Sequence, residues 1–129
     1  MKITGFNPAI LTSDMKAMVS LFEDLGFEQR HERDNISTEF DNSAVDTSIR
    51  MKNADGFCAD INSFEGIPRD ETLIRINVDD FDEAYQFFTD RGFRNFMGEG
   101  KLLVTSFFKG AHLVSPSGFG IMLMQHLKD

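Results

Sequence analysis

The sequence predicts an α+β fold in which two tandem βαβββ modules form one domain with a shared cleft. Three observations predict this fold. A pattern of strand, helix and further strands occurs twice, each helix lies between an aspartate and a glycine, and in each copy a Gly-Phe pair at a turn leads into the last strand. The helix markers repeat at an offset of 66 residues and the Gly-Phe pairs at 62, namely Asp14 and Asp80, Gly26 and Gly92, and Gly56-Phe57 and Gly118-Phe119.

The first module, residues 1–65, begins with an apolar run over residues 3–11 that is typical of a strand. Thr12-Ser13-Asp14 then offers side-chain oxygens for a helix N-cap, and Gly26 is a typical residue after a helix end. Apolar residues recur between them at helical spacing, at Met15, Met18, Val19, Phe22 and Leu25. Further strands are predicted over residues 27–33, 36–40, 45–52 and 57–63, and the last two are joined by the turn Asn53-Ala54-Asp55-Gly56.

The second module, residues 72–129, repeats this order after a linker over residues 66–71. A strand over residues 73–78 leads to Asp80 and Glu83, which are spaced as in a capping box. The apolar stripe of the helix is predicted at Phe81, Ala84, Tyr85 and Phe88. The later strands are predicted over residues 93–97, 102–109, 111–115 and 119–126. Because a unit of about 60 residues buries little surface by itself, we expect the two modules to share one core.

Charge and composition exclude several classes of function. The 129 residues include 13 Lys and Arg against 21 Asp and Glu, which gives a net charge of −8, and the cations are scattered. Nucleic acid and anionic membranes are therefore not expected partners, because both are bound through clustered cations. Cys58 is the single cysteine, so no intrachain disulfide forms. With no apolar leader or membrane-spanning run in the sequence, we expect a cytoplasmic protein.

The duplicated unit resembles the vicinal-oxygen-chelate superfamily, which includes glyoxalase I, the extradiol dioxygenases, fosfomycin-resistance enzymes and bleomycin-resistance proteins. The segment from Thr12-Ser13-Asp14 to Leu25-Gly26-Phe27 looks like the superfamily's first strand-to-helix segment. Residues 115–123 look like its last turn and strand. The resemblance implies a glyoxalase/bleomycin-resistance-like fold, curved sheets that enclose the cleft, and a homodimer.

In metal-dependent members the ligands come from the first and last strands of each module, usually as His, Gln or Glu. The resemblance places these positions at Asn7 and Asp60 in the first module, and at Leu73 and Met122 in the second. Leu73 offers no donor atom, and the Met122 thioether suits copper(I) rather than zinc, iron or magnesium. Asp60 and Asn7 alone would make a weak site, so we expect no metal ion and no other cofactor.

The three histidines lie in different strands or strand ends, without the spacing of a metal site. We interpret His31, His112 and His126 as partly exposed strand residues. The 62-residue offset aligns His112 with Arg50, so these two lie on equivalent strands. A shifted register that joins His31 or His112 to Asp60 is the alternative route to a metal site.

Alternate residues of a strand share a face, so the mapped positions identify further cleft residues. Arg75 has two interpretations: an anchor for a ligand carboxylate or phosphate, or the partner of Asp60 in an internal salt bridge. Polar groups within an otherwise apolar lining are typical of ligand pockets. The predicted ligand-binding residues are Asn7, Arg50, Asp60, Asn62, Arg75, Asn77, His112, Met122 and Met124.

Three functions are consistent with this sequence. The leading hypothesis is a glyoxalase/bleomycin-resistance-like protein that binds a small organic ligand in the cleft without a metal. The first alternative is a metal-dependent lyase or dioxygenase of the same superfamily, and the second is a dimeric protein-interaction module. No catalytic residue is predicted, because Cys58 has no sequence-local base and no P-loop, dinucleotide fingerprint or serine elbow is present.

Overall fold

The computed structural model describes residues 1–34 and 45–127. The predicted strand over residues 36–40 lies outside the described residues. The described part of the chain contains two helices and nine strands. Their bounds are β1 Ile3–Thr12, α1 Met15–Asp24, β2 Glu28–Asp34, β3 Val45–Lys52, β4 Cys58–Phe64, β5 Glu71–Val78, α2 Phe81–Thr89, β6 Arg94–Asn95, β7 Leu103–Val104, β8 Phe108–Val114 and β9 Gly120–His126.

The chain divides into two compact units. The N-terminal unit is Asn7–Thr72, and the C-terminal unit is Leu73–Asp129 together with Met1–Phe6. Backbone and side-chain hydrogen bonds hold the first residues of the chain to the segment before α2. The Asp79 N–H donates to the Lys2 carbonyl at 3.0 Å, and the Lys2 N–H donates to the Asp79 carboxylate at 2.7 Å.

The helix of the N-terminal unit begins and ends where the sequence predicts. The Asp14 carboxylate accepts a hydrogen bond from the Ala17 N–H at 3.1 Å, which is a side-chain N-cap. Gly26 follows the helix with a φ of +101°, a conformation that favours glycine and turns the chain toward β2. The strand order is β2-β3-β4-β1, with β3 antiparallel to both neighbours and β1 parallel to β4.

The C-terminal unit has the same topology. The Asp80 carboxylate accepts a hydrogen bond from the Glu83 N–H at 3.1 Å and caps α2. The strand order is β1-β5-β9-β8-β6, and β7 also pairs with β8. As in the N-terminal unit, the strand before the helix is parallel to the last strand of the unit, and that last strand is antiparallel to the strand before it. The predicted duplication is therefore present in the connectivity of the strands.

Among the described residues, a cluster of buried apolar side chains lies in each unit, and the sharing of one core by the two modules stays a prediction. Each helix packs on the sheet of its own unit. Leu25, predicted in the first helical stripe, is 63% exposed because it is the C-cap residue after α1. One cluster is Val19, Ile49, Met51 and Ile61, with Met15, Met18, Phe22 and Phe27 packed against it. The other is Ile76, Val78, Phe81, Ala84, Ala111, Leu113, Ile121 and Leu123.

The predicted strands over residues 93–97, 102–109 and 111–115 have different bounds in the structure. The chain turns at Thr105, because its hydroxyl accepts hydrogen bonds from the N–H groups of Phe107 and Phe108 at 3.0 and 3.1 Å. Strand β8 then continues through Gly110, where the sequence predicted a break. A Cβ atom at Gly110 would overlap the Met124 sulfur, so this glycine makes room for a side chain on β9 and is not a turn.

Strand β6 is shorter than predicted because Asn95 ends it. Its side-chain oxygen accepts a hydrogen bond from the Met97 N–H at 3.0 Å, and its amide donates to the Lys101 carbonyl at 2.8 Å. These contacts bend the chain into the loop between β6 and β7.

Neither helix in the described residues has the length and apolar composition needed to cross a membrane.

Candidate functional site

The predicted ligand-binding residues of the sheets lie on the faces opposite the two helices. In the N-terminal unit Ile49 and Ile61 belong to the cluster beneath α1, so their strand neighbours Arg50 and Asp60 lie on the other face. The same alternation holds for the C-terminal unit, where Ile76, Leu113, Ile121 and Leu123 pack with α2. The residues that alternate with them are Arg75, Asn77, His112, Met122 and Met124.

An ion pair between a half-buried arginine and a buried aspartate occupies this face in the N-terminal unit. Arg50 on β3 and Asp60 on β4 are directly paired across the two strands. The Arg50 Nε donates to Asp60 Oδ1 at 2.8 Å, and the Arg50 Nη2 donates to Oδ2 at 3.0 Å. This bidentate geometry joins the guanidinium to the carboxylate through two charge-assisted hydrogen bonds. Asp60 is only 2% exposed, so its charge depends on these partners.

Asn7 on β1 completes this network, which we call the Arg50–Asp60–Asn7 network. The Asn7 amide donates to Asp60 Oδ2 at 2.8 Å and to the Pro8 carbonyl at 2.9 Å, while its oxygen accepts from Arg50 Nη2 at 3.4 Å. The hydrogen bond with Asp60 raises the pKa of Arg50 above its usual value, and this effect exceeds the opposing effect of burial. Among the described side chains, no buried nitrogen or oxygen lacks a hydrogen-bond partner.

The register confirms the offsets inferred from the sequence. His112 pairs with Met122 in the C-terminal unit, as Arg50 pairs with Asp60 in the N-terminal unit, and both residues are displaced by 62 positions. Arg75 pairs with Met122 on the other side of β9. Positions that hold a guanidinium and a carboxylate in one unit therefore hold an imidazole and a thioether in the other.

His112 is buried, with 5% of its surface exposed, which corrects the prediction of a partly exposed histidine. The Phe96 ring covers it, with the ring centroids 4.6 Å apart and the planes inclined by 26°. The Phe96 N–H also donates to the His112 carbonyl at 2.7 Å, which holds the stacked pair in place. His126 is exposed, and the side chain of His31 lies outside the described residues.

Gly120 brings a second side chain to His112. A Cβ atom at Gly120 would lie 2.5 Å from Leu73 Cδ2 and 3.5 Å from His112 Nε2. The glycine therefore lets Leu73 and His112 approach each other across β9. Sequence reasoning did not identify the Phe96 stack, although an isolated glycine within a strand pattern is a signal for such a close approach.

The remaining predicted residues have short-range partners. The Arg75 Nε donates to the Asn77 side-chain oxygen at 3.0 Å, and both side chains are half-buried. Asn77 also lies over Gly5, where a Cβ atom would come within 2.8 Å of its amide nitrogen. The Asn62 amide approaches the Ile10 carbonyl at 3.5 Å. The two interpretations of Arg75, as a ligand anchor or as a partner of Asp60, stay predictions.

The positions that the resemblance assigns to metal ligands do not have the chemistry of a divalent-metal site. In the N-terminal unit both oxygens of Asp60 accept hydrogen bonds from Arg50, and the amide of Asn7 donates to the same carboxylate. In the C-terminal unit Leu73 has no donor atom and Met122 supplies a soft thioether. Within residues 1–34 and 45–127, no group of three or more His, Cys, Asp or Glu residues is placed to hold a metal ion.

Comparison with solved structures identifies the fold. One similar structure is a glyoxalase/bleomycin resistance protein/dioxygenase superfamily member from Vibrio splendidus 12B01. The match covers 98% of this chain and 100% of the Vibrio chain, with a TM-score of 0.61 and 19% identity. A glyoxalase I mutant from Zea mays is similar to 98% of the chain, with a TM-score of 0.66 and 13% identity. A Mn(II)-bound glyoxalase from Novosphingobium aromaticivorans is similar to 96%, with a TM-score of 0.51 and 14% identity.

The chain therefore has the glyoxalase/bleomycin-resistance fold, and the predicted fold class is confirmed. It spans 44% of the maize chain and 39% of the Novosphingobium chain. No protein-family model matches the sequence, and a search of curated proteins found no match.

Proposed function

We propose that this protein binds a small organic ligand without a metal ion, on the sheet faces opposite its helices. The observation that carries the proposal is the engagement of the Asp60 carboxylate by Arg50 and Asn7. A metal ion would have to displace the guanidinium from a carboxylate that is 2% exposed. The ion pair with its additional amide donor satisfies the buried charge, so no metal ion is needed for that purpose.

The face of the C-terminal unit supports a ligand that is mainly apolar. The stacked pair of Phe96 and His112 lies in register with Met122 and close to Leu73. Arg75 pairs with Met122 across β5 and β9 and provides a polar group beside this apolar surface. An apolar surface with a few hydrogen-bonding groups is typical of small-molecule sites.

Phe96 is the side chain best placed to contact an aromatic ligand. Its ring is 59% exposed, although one side of it stacks on His112. The hydrogen bond from its N–H to the His112 carbonyl fixes the backbone from which the ring projects. An aromatic ring held in this way offers stacking at a low entropic cost.

Metal analysis and a thermal-shift screen test this function. We expect the purified protein to contain far less than one divalent metal ion per chain, and a screen of small aromatic and anionic compounds to find ligands that raise its melting temperature. Phe96→Ala should lose the response to aromatic ligands, whereas Phe6→Ala, which removes a ring at a residue that is 65% exposed, should retain it. A content of about one zinc, iron, manganese or nickel ion per chain would refute the proposal.

Exposed phenylalanines support a second proposal, that the protein also forms homodimers or binds another protein. Phe57 and Phe119 occupy equivalent positions after the two turn glycines and are 67% and 52% exposed. Leu25, at the end of α1, is 63% exposed. Exposed apolar side chains become buried when two copies of a chain associate over a contiguous patch. Light scattering of the eluting protein should give twice the mass of one chain, and a monomer at high concentration would contradict the dimer.

A further inference from the structure

In the N-terminal unit, the oxygens that could bind a metal ion belong to Asp60 and Asn7, and the positively charged Arg50 already contacts them. We infer that the Arg50 guanidinium takes the place of a cation on Asp60 and Asn7 and thereby closes this half of the fold to metal ions. The inference rests on the metal-free function proposed above and supplies its mechanism. It also predicts that exchanging one residue opens a metal site.

The guanidinium contacts the oxygen atoms that a hard cation would use. Its Nε and Nη2 lie 2.8 and 3.0 Å from the two carboxylate oxygens of Asp60, and Nη2 lies 3.4 Å from the Asn7 side-chain oxygen. Carboxylate and amide oxygens are the usual protein ligands of hard divalent cations. The two residues that carry them are 2% and 5% exposed, so the oxygens are held within the fold.

Arg50 and a metal ion exclude each other at this position. A buried carboxylate needs a compensating positive charge, which either a guanidinium or a metal ion supplies. A second cation within about 4 Å of the guanidinium would be repelled by its charge. The presence of Arg50 therefore makes the oxygens of Asp60 and Asn7 poor metal ligands, although their chemical type is suitable.

The C-terminal unit supports the assignment of Arg50 to the charge of Asp60. At the positions equivalent to Arg50 and Asp60 it carries His112 and Met122, so the guanidinium and the carboxylate are absent together. If the guanidinium served only strand packing, its presence would not depend on a carboxylate at the paired position. At these two paired positions, the guanidinium occurs only in the unit that also has the buried carboxylate.

Arg50→His in the full-length chain tests the inference, with zinc chloride as the probe. The substitution removes the guanidinium and adds an imidazole beside the oxygens of Asp60 and Asn7, which together form a three-ligand set. We expect zinc at about ten times its dissociation constant to raise the melting temperature of this variant by roughly 5 °C. The wild-type protein, in which Arg50 is present, should shift by less than about 1 °C under the same conditions.

The double variant Arg50→His/Asp60→Asn is the matched control, because it keeps the imidazole and removes the carboxylate charge. It should lose the zinc response, which separates this position from adventitious zinc binding at His126 or elsewhere. Arg50→Gln provides a second route if Arg50→His does not fold, since the glutamine amide can still donate to Asp60. Arg50→Gln should show a smaller zinc shift than Arg50→His and a larger one than the wild-type protein.

Two outcomes would overturn the inference. One is that the folded Arg50→His and Arg50→Gln variants show no zinc response, and the other is that the wild-type protein responds to zinc as strongly as they do. Metal content of the wild-type protein as purified reports on the proposed function. The zinc response of the variants reports on the role of Arg50, so the two failures are distinguishable.

Discussion

The two units of this chain share one backbone topology and differ in the side chains on the sheet face opposite the helix. In the N-terminal unit Arg50 and Asp60 are paired across neighbouring strands and form a bidentate ion pair. In the C-terminal unit the equivalent pair is His112 and Met122, and the imidazole is covered by Phe96. The strand order and helix caps are the same in both units. The difference shows that the face opposite the helix changes without a change in the fold.

The physical reason is that the two faces of each sheet place different requirements on their side chains. Residues beneath the helices must be apolar and complementary in volume, because they form the packed clusters. On the opposite face a polar group is tolerated when its hydrogen bonds are completed, as they are for Asp60 and Asn7. An apolar or aromatic group is tolerated when a neighbour covers it, as Phe96 covers His112.

Breaking the ion pair should have the largest effect. Arg50→Ala leaves the buried Asp60 carboxylate without its cation and should lower the free energy of unfolding by about 3 kcal/mol, measured by urea denaturation. The double variant Arg50→Ala/Asp60→Ala should be more stable than Arg50→Ala, because it removes the uncompensated charge. Equal or greater destabilisation in the double variant would show that the pair acts through packing rather than charge.

The close approach at Gly120 should have the next largest effect. Gly120→Ala places a Cβ atom 2.5 Å from Leu73 Cδ2, and overpacking of this kind should lower the free energy of unfolding by about 2 kcal/mol. In a Leu73→Ala background, where that contact is absent, the same substitution should have a smaller effect. Urea denaturation of the wild-type protein, the two single variants and the double variant gives the coupling free energy between positions 73 and 120. Additive effects would contradict the proposed contact.

Removing the ring that covers His112 should have a moderate effect. Phe96→Ala should lower the free energy of unfolding by about 1 kcal/mol, since the ring is 59% exposed and contributes mainly through its stack on His112. The control Phe6→Ala, at a side chain that is 65% exposed, should change it by less than about 0.5 kcal/mol. Equal effects for the two variants would show that the stack does not contribute to stability.

The pH dependence of the ion pair should be the smallest effect. Because the folded-state pKa of Arg50 is raised above its unfolded value, the stabilisation is fully present below the unfolded pKa and is lost only as the pH rises through the folded one. The stability difference between the wild-type protein and Arg50→Gln should therefore stay constant from about pH 7 to about pH 10. A difference that declines over this range would mean that another titrating group, and not the Arg50–Asp60 pair, causes the stability difference.

Local signals along the chain were sufficient to predict the helix starts, the turn after β3 and the repeated order of helices and strands. Asp14 and Asp80 accept hydrogen bonds from N–H groups three residues later, so the helix starts depend on contacts within one turn. The turn after β3 is also local, because the Asn53 side-chain oxygen accepts from the N–H groups of Asp55 and Phe57 at 3.1 and 2.9 Å. Repetition of these signals at fixed offsets then predicted the shared topology of the units.

The local signals failed where a distant partner decided the structure. Gly110 resembles a turn residue in the sequence, but it lies within β8 because Met124 packs over it. His112 resembles a surface residue, but Phe96 buries it from a separate loop. In both cases the deciding contact joins residues that are more than ten positions apart, and spacing within one segment contains no information about it.

The amino-acid order alone determined where the helices start and stop, which residues form their apolar stripes and that one building unit occurs twice. These features depend on hydrogen bonds and side-chain periodicity within a few residues. The tertiary structure decided which partner each functional side chain has, including the engagement of Asp60 by Arg50 and Asn7 and the cover of His112 by Phe96. Those contacts depend on strand register and loop placement, which are set by packing between segments distant in the chain.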